Sequence, residues 1–242
     1  TGLPSICGVI RRRILVNYRI DPEIVRPMLP PHMSPLLQNG KAIGGICLIR
    51  LEEIRPQMMP FAPPVTSENA AHRFSVHVHR DSGIEDAVYI PRRDTDSLMS
   101  HLVGGRFFPG IHHMASFDIV DQDGHLKLEM NSRDGEVSIM LEASENDEFQ
   151  STPCFRTLQS ASDFHQRASR GYSDNPRSEC LDCIDLVTPK WVVSPLDVQH
   201  VHSSFFDSAM FPPGSVEFDH ALLMRDVAHY WRAGEDLRAY SQ

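Results

Sequence analysis

Thirteen histidines against only three lysines, Lys41, Lys127 and Lys190, set the chemistry open to this 242-residue chain. Imidazole donates or accepts a proton near neutral pH without help from its surroundings. His112-His113 is an adjacent pair. On a strand, neighbouring side chains point to opposite faces, so at most one of the two can face an interior site. His77-x-His79 and His200-x-His202 each place two rings on one strand face, which suits a metal only if a third ligand arrives from elsewhere. The sequence offers no such ligand, and a histidine-rich chain produces such pairs by chance, so no metal is expected. Arg11-Arg12-Arg13 is the one dense basic run. If it lies on a strand, Arg12 points opposite to Arg11 and Arg13, and one guanidinium of the three can turn inward; the plain alternative is a solvated strand. Among the lysines, Lys41 and Lys127 read as solvated, and Lys190, between Pro189 and Trp191, is the only candidate amine nucleophile.

Other familiar devices are missing. The five cysteines are scattered and odd in number, which is no disulfide framework and points to a reducing cytosol. Cys180-x-x-Cys183 stands alone and reads as two ordinary thiols. No serine occupies a G-x-S-x-G elbow, and neither a P-loop nor a dinucleotide fingerprint appears, so no cofactor is expected. The formal charge of −9 argues against nucleic acid as a partner. No apolar run approaches the roughly 20 residues of a membrane span, so a cytoplasmic, membrane-free protein is expected.

The elements that would hold such residues are mostly strands. Period-two alternation runs through Ile14, Val16 and Tyr18, through Phe74, Val76 and Val78, through Leu126, Leu128 and Met130, and through Val137, Ile139 and Leu141. Residues 42–51 are almost continuously apolar around Gly44-Gly45, as in a strand buried on both faces. Asp123-Gly124 and Asp134-Gly135 sit where hairpin turns belong. Short helices are expected after Asp21-Pro22, over residues 94–103 ahead of Gly104, and over 160–170. Residues 218–231 read equally as helix or long strand. Four prolines within 56–64 make a loop of the kind that borders sites. Nothing marks a domain boundary, so residues 1–242 are read as one mainly β (α+β) domain, a barrel or sandwich with a few peripheral helices.

Three stretches in order, RRILVNYRIDPEIVRPMLP from Arg12, Val65-Thr66-Ser67-Glu68, and GGRFFPGIHHMASF from Gly104, resemble the acetoacetate decarboxylase superfamily. FFDSAMFP from Phe205 is similar to a late segment of the same family. The YqjF-like branch is the nearest likeness. The resemblance implies a closed β-barrel or cone with a few peripheral helices. It implies that Arg12 binds a substrate carboxylate, for which a guanidinium fork is suited, that Glu68 carries a proton, and that Arg106 leads toward the reactive position. At that position the family's decarboxylases carry a Schiff-base lysine, whereas this chain has His112 or His113. Imidazole forms no stable iminium, so the resemblance implies acid–base work on a keto acid or related carbonyl or carboxylate compound, by Glu68, His112 and His113 with Arg12 and Arg106. It also implies a lyase-like activity (decarboxylase-like, dehydratase or cyclase) and a possible homo-oligomer. The alternative is a non-catalytic barrel that binds a small apolar or acidic metabolite.

Overall fold

The computed structural model describes residues 5–98, 110–175 and 180–238. Its strands form a single hydrogen-bonded sheet that closes on itself. Five long strands dominate: β1 (Ile6–Ile20), β4 (Lys41–Pro56), β5 (Val65–Arg80), β6 (Gly83–Thr95) and β13 (Val216–Ala233). Between β1 and β4 lie the short β2 (Met33–Pro35) and β3 (Leu37–Gln38). The remaining strands are β7 (His112–Gln122), β8 (His125–Ser132), β9 (Ser138–Glu145), β10 (Arg170–Asp174), β11 (Cys180–Val187), β12 (Ser194–Ser203) and β14 (Leu237–Arg238).

The sheet closes by two routes that share a wall. The wall is β13–β1–β4–β5–β6, antiparallel throughout. One route returns from β6 through β10 and β11 to β13. The other returns through β7, β8, β9 and β12. Both faces of the shared wall are therefore interior, which is why β1, β4 and β5 are buried over consecutive residues (14–18, 42–48 and 72–76) rather than at every second one. The larger route encloses the main core, with Ile14, Phe74, Met130 and Leu141 essentially without exposure. A helix closes one side of the smaller route.

Local chemistry explains most element ends. Asp21 caps α1 (Pro22–Val25) by accepting the Glu23 N–H, with Pro22 at the first helical position, and a 3-10 turn over Arg26–Met28 follows. Thr157 and Ser160 form a reciprocal capping box at the start of α2 (Leu158–Arg167). Asn39-Gly40 and Asp123-Gly124 each have two consecutive positive φ values, as a two-residue hairpin turn requires. Gly45 is a close-approach position: a Cβ there would lie 2.2 Å from the Val16 carbonyl oxygen. Residues 218–231, readable as helix or long strand, lie within one long strand, since β13 pairs with β1, β11 and β12. One expectation needs revision. Asp94 and Thr95, expected to open a helix, end β6, paired with Ala70 and Asn69 of β5; residues 99–103 lie outside the described residues.

Candidate functional site

The strand bearing Arg11-Arg12-Arg13 lies within the shared wall, between β13 and β4, so its parity decides which arginine faces which interior. Arg12 is almost fully buried on the main-core side. It donates to Glu68 at 2.8 Å and to Asp121 at 3.3 Å. Glu68 also accepts from Arg50 at 3.1 Å. Burial raises the Glu68 carboxyl above its ordinary value, and the two guanidinium groups only partly offset this. The structure thus brings Arg12 and Glu68 together, as partners of one another. Neither is among the residues lining the cavity described next. His113 turns away as well, its Nδ1 2.9 Å from Asp134. His112 does line the cavity. Arg106 lies outside the described residues.

The cavity occupies the smaller of the two enclosures and has a volume of about 520 Å³. Most of its wall is aliphatic, from Leu15, Ile49, Leu51, Val88, Ile90 and Ile184. The proline loop between β4 and β5 contributes Pro56, Ala62, Pro63 and Pro64. Four arginines reach this surface: Arg55, which is ion-paired with Glu53, and Arg13, Arg73 and Arg93. Each of the last three has a neutral hydrogen-bond partner. Arg13 Nε reaches the Cys47 sulfur at 3.3 Å, Arg73 donates to Asn17 Oδ1 at 2.6 Å, and Arg93 Nε donates to Ser173 at 3.1 Å. Among the described residues no carboxylate forms an ion pair with any of the three; the neighbouring Arg12 and Arg92 are both so paired. One N–H-bearing nitrogen on each is buried without a hydrogen-bond partner among the described residues: Arg13 Nη1, Arg73 Nε and Arg93 Nη2. Burial pushes Arg73 and Arg93 each down to about 10. A buried charge without a counter-charge is among the costliest features a fold can carry. A guanidinium fork of this kind matches a carboxylate or other oxyanion.

Besides His112, one carboxylate and one further imidazole share the wall with them. Asp94 borders the cavity, but the Arg92 fork holds it at 2.8 to 3.1 Å. His165, near the end of α2, also borders it. No lysine does: all three are exposed, Lys190 included. Sequence reasoning missed Arg13, Arg73, Arg93 and His165. Arg73 and Ser75 read as the polar, solvent face of β5, a reading that fails because both faces of this wall are interior. A β-bulge between His72 and Phe74 further shifts the register there. The histidine pairs make ordinary local contacts, His77 with Asp86, His79 with Ser34 and His202 with Asp207. Among the described residues no group of three or more His, Cys, Asp or Glu is placed to hold a metal. No described helix is long and apolar enough to cross a membrane.

The comparisons with known proteins agree with this architecture. A family profile, DUF2071, described as "Uncharacterized conserved protein", matches residues 9–229. The chain belongs to that family. No curated protein matches it. Among solved structures, an acetoacetate decarboxylase-like enzyme from Sphingomonas wittichii RW1 superposes with a TM-score of 0.60 at 11% identity, covering 98% of this chain and 92% of that one. The enduracididine biosynthesis enzyme MppR complexed with pyruvate gives 0.57 at 12% identity, over 99% and 91% of the two chains. Acetoacetate decarboxylase from Legionella pneumophila gives 0.53 at 12% identity, over 97% and 88%. At these identities the likeness is one of fold: the chain shares the fold of acetoacetate decarboxylase-like enzymes.

Proposed function

We propose that this DUF2071 member is a small-molecule enzyme that draws an organic carboxylate, a keto acid or related carbonyl compound, into the arginine-lined cavity and works on it by acid–base chemistry without a Schiff base. The observation that carries the reading is the set Arg13, Arg73 and Arg93: three guanidinium groups on one aliphatic wall, with buried donors and no ion-paired carboxylate among the described residues. A carboxylate that enters removes that electrostatic penalty, which gives the free energy of binding a source. Arg13 takes the role that the resemblance implied for Arg12, one residue along the same strand and therefore on the opposite face. His112 and His165 supply imidazoles within the same enclosure. Every lysine side chain is exposed and outside it, so no lysine amine stands ready to form an imine. Glu68, committed to Arg12 and Arg50, serves in this reading as a structural carboxylate. A cytoplasmic location and a homo-oligomeric state belong to the proposal, the latter read by light scattering.

Binding without catalysis is the second reading. It draws on the wall being aliphatic apart from these groups and on the one cavity carboxylate, Asp94, being held by Arg92. The two readings share the anion and differ in turnover. Because one solved protein of this fold is complexed with pyruvate, small 2-oxo acids are the first probes. The test is borohydride treatment with a panel of 2-oxo and 3-oxo acids, read by intact mass, beside a titration of each acid and NMR observation of product. Saturable binding with turnover and no covalent adduct supports the enzyme. Binding with no change in any acid supports the carrier. A trapped adduct on Lys190 or another lysine would sink the claim that the chemistry avoids a Schiff base.

A further inference from the structure

The cavity wall carries one imidazole whose surroundings go beyond holding an anion. His165 Nε2 lies 3.1 Å from His220 Nε2, and His220 Nδ1 lies 2.7 Å from Asp219 Oδ2. Asp219 also accepts from Thr152 Oγ at 2.8 Å. Both histidines and the aspartate are buried. The tautomers follow from one neighbour. Arg73 donates to Asn17 Oδ1, so the Asn17 amide must turn its NH2 group the other way, toward the Leu15 carbonyl at 3.0 Å and His220 Nε2 at 3.1 Å. His220 Nε2 is then an acceptor, and its proton sits on Nδ1, facing the Asp219 carboxylate. His165 must in turn donate from Nε2, which leaves His165 Nδ1 as the unprotonated, basic nitrogen. Among the described residues that nitrogen makes no hydrogen bond, and His165 borders the cavity.

We propose that His165 Nδ1 is the proton acceptor of the cavity, removing a C3 proton from a 2-oxo acid whose carboxylate is held by Arg73 and Arg13, a step that rests on the carboxylate-binding reading above. His220 and Asp219 are positioning residues. The C3–H bond breaks, its electron pair forms the enolate, and the carbonyl oxygen takes the negative charge beside the remaining guanidinium donors. The proton resides on His165, and its return to carbon, or that of a solvent proton exchanged in its place, restores the acid. No electrons leave and no other bond changes. The chain His165–His220–Asp219 orients the ring and disperses the imidazolium charge toward a buried carboxylate, as a carboxylate behind a histidine does in general. The last turn of α2 adds its carbonyl dipoles on the same side. Burial first, and then Arg73, His220 and Arg13, lower the basicity of His165. A carboxylate that neutralises the two arginines removes their part of this and strengthens the base when substrate is present.

The experiment is deuterium exchange of the pyruvate methyl protons in D2O, followed by NMR with the full chain, alongside calorimetric titration of pyruvate in the same buffer. Wild type is expected to bind pyruvate and exchange its methyl protons well above the buffer rate. His165→Gln is expected to bind it within about threefold and to exchange at least ~100-fold more slowly, the usual yield of a placed general base. Asp219→Asn is expected to lower the saturating rate roughly tenfold or more, on the scale of lost orienting partners. Its half-saturating concentration should stay put, a split that a purely structural role would not give. Binding without exchange by wild type, or wild-type exchange by His165→Gln, overturns the assignment and leaves the anion site standing. Failure of wild type to bind pyruvate or any other 2-oxo acid overturns both.

Discussion

Arg73→Met should make the ligand-free protein more stable while weakening its hold on anions. Burial pushes Arg73 from the ordinary arginine value down to about 10. The folded-state value is the lower one, so the charged side chain weakens the fold at every pH below about 10 and is relieved only as the pH rises from there toward the ordinary value. At about 1.4 kcal/mol per tenfold change in proton affinity, the gap corresponds to about 3 kcal/mol at neutral pH. Against this stands the hydrogen bond to Asn17, worth about 1 kcal/mol. Methionine fills much of the same volume without charge. The net expectation is a gain of about 2 kcal/mol, or roughly 4–8 °C in melting temperature for a chain of this size. A charge-assisted hydrogen bond to a bound carboxylate is worth about 1.5–3 kcal/mol, so affinity for a 2-oxo acid should fall roughly 10- to 100-fold. Calorimetric melting and titration of the two proteins read both effects. A variant that melts well below wild type and binds the acid equally tightly would refute the idea that Arg73 is kept at a cost in stability for the sake of an anion.

Glu68→Gln should do the reverse. It breaks a buried ion pair with Arg12 off the cavity, so the melting temperature should drop by the equivalent of about 3 kcal/mol, while 2-oxo acid affinity measured below that temperature stays at the wild-type value. Asp134 is held below the ordinary carboxylate range: burial would raise it, but hydrogen bonds from Ser132, the Glu136 N–H and Arg92 together win. A depressed folded value gives stability that is present above the ordinary value near 4 and is lost as the pH falls through it toward the folded value. Asp134→Asn should therefore lower the neutral-pH melting temperature, by about 1 kcal/mol given its partial exposure, and flatten the loss of stability between about pH 4 and pH 2 in an acid melting series. An unchanged acid slope would show that other carboxylates govern it.

The strands were legible wherever one side chain in two had to be apolar. Leu126, Leu128 and Met130 of β8 face the core as their spacing demands, and the Asp123-Gly124 turn follows from the need for two positive φ values. The two-sided wall was legible only in part. Residues 42–51 announced it through continuous apolarity, but Arg73 and Ser75 beside Phe74 imitate a solvent face, and no local pattern distinguishes a water-filled exterior from a second interior. Parity along Arg11-Arg12-Arg13 did separate Arg12 from its neighbours. Which face carried the cavity depended on how β6, β10, β11 and β13 close around it, a long-range property absent from the run itself. The Asp219-His220 pair lay within a segment readable as helix or strand, so its meeting with His165 of α2 across 55 positions could not be foreseen. The family likeness pointed to Arg12, whereas the arginine we propose for the anion is its neighbour Arg13, which a strand turns to the opposite face of the sheet.

The central claim, that three guanidinium groups with no ion-paired carboxylate among the described residues hold a substrate carboxylate, is tested most directly by titrating the protein with a 2-oxo acid and with its methyl ester, for wild type and for Arg13→Gln, Arg73→Met and Arg93→Met. The account predicts that the acid binds wild type, that the uncharged ester binds at least about tenfold more weakly, and that each substitution weakens the acid without further weakening the ester. Equal affinity for acid and ester, or acid binding indifferent to all three substitutions, would contradict it.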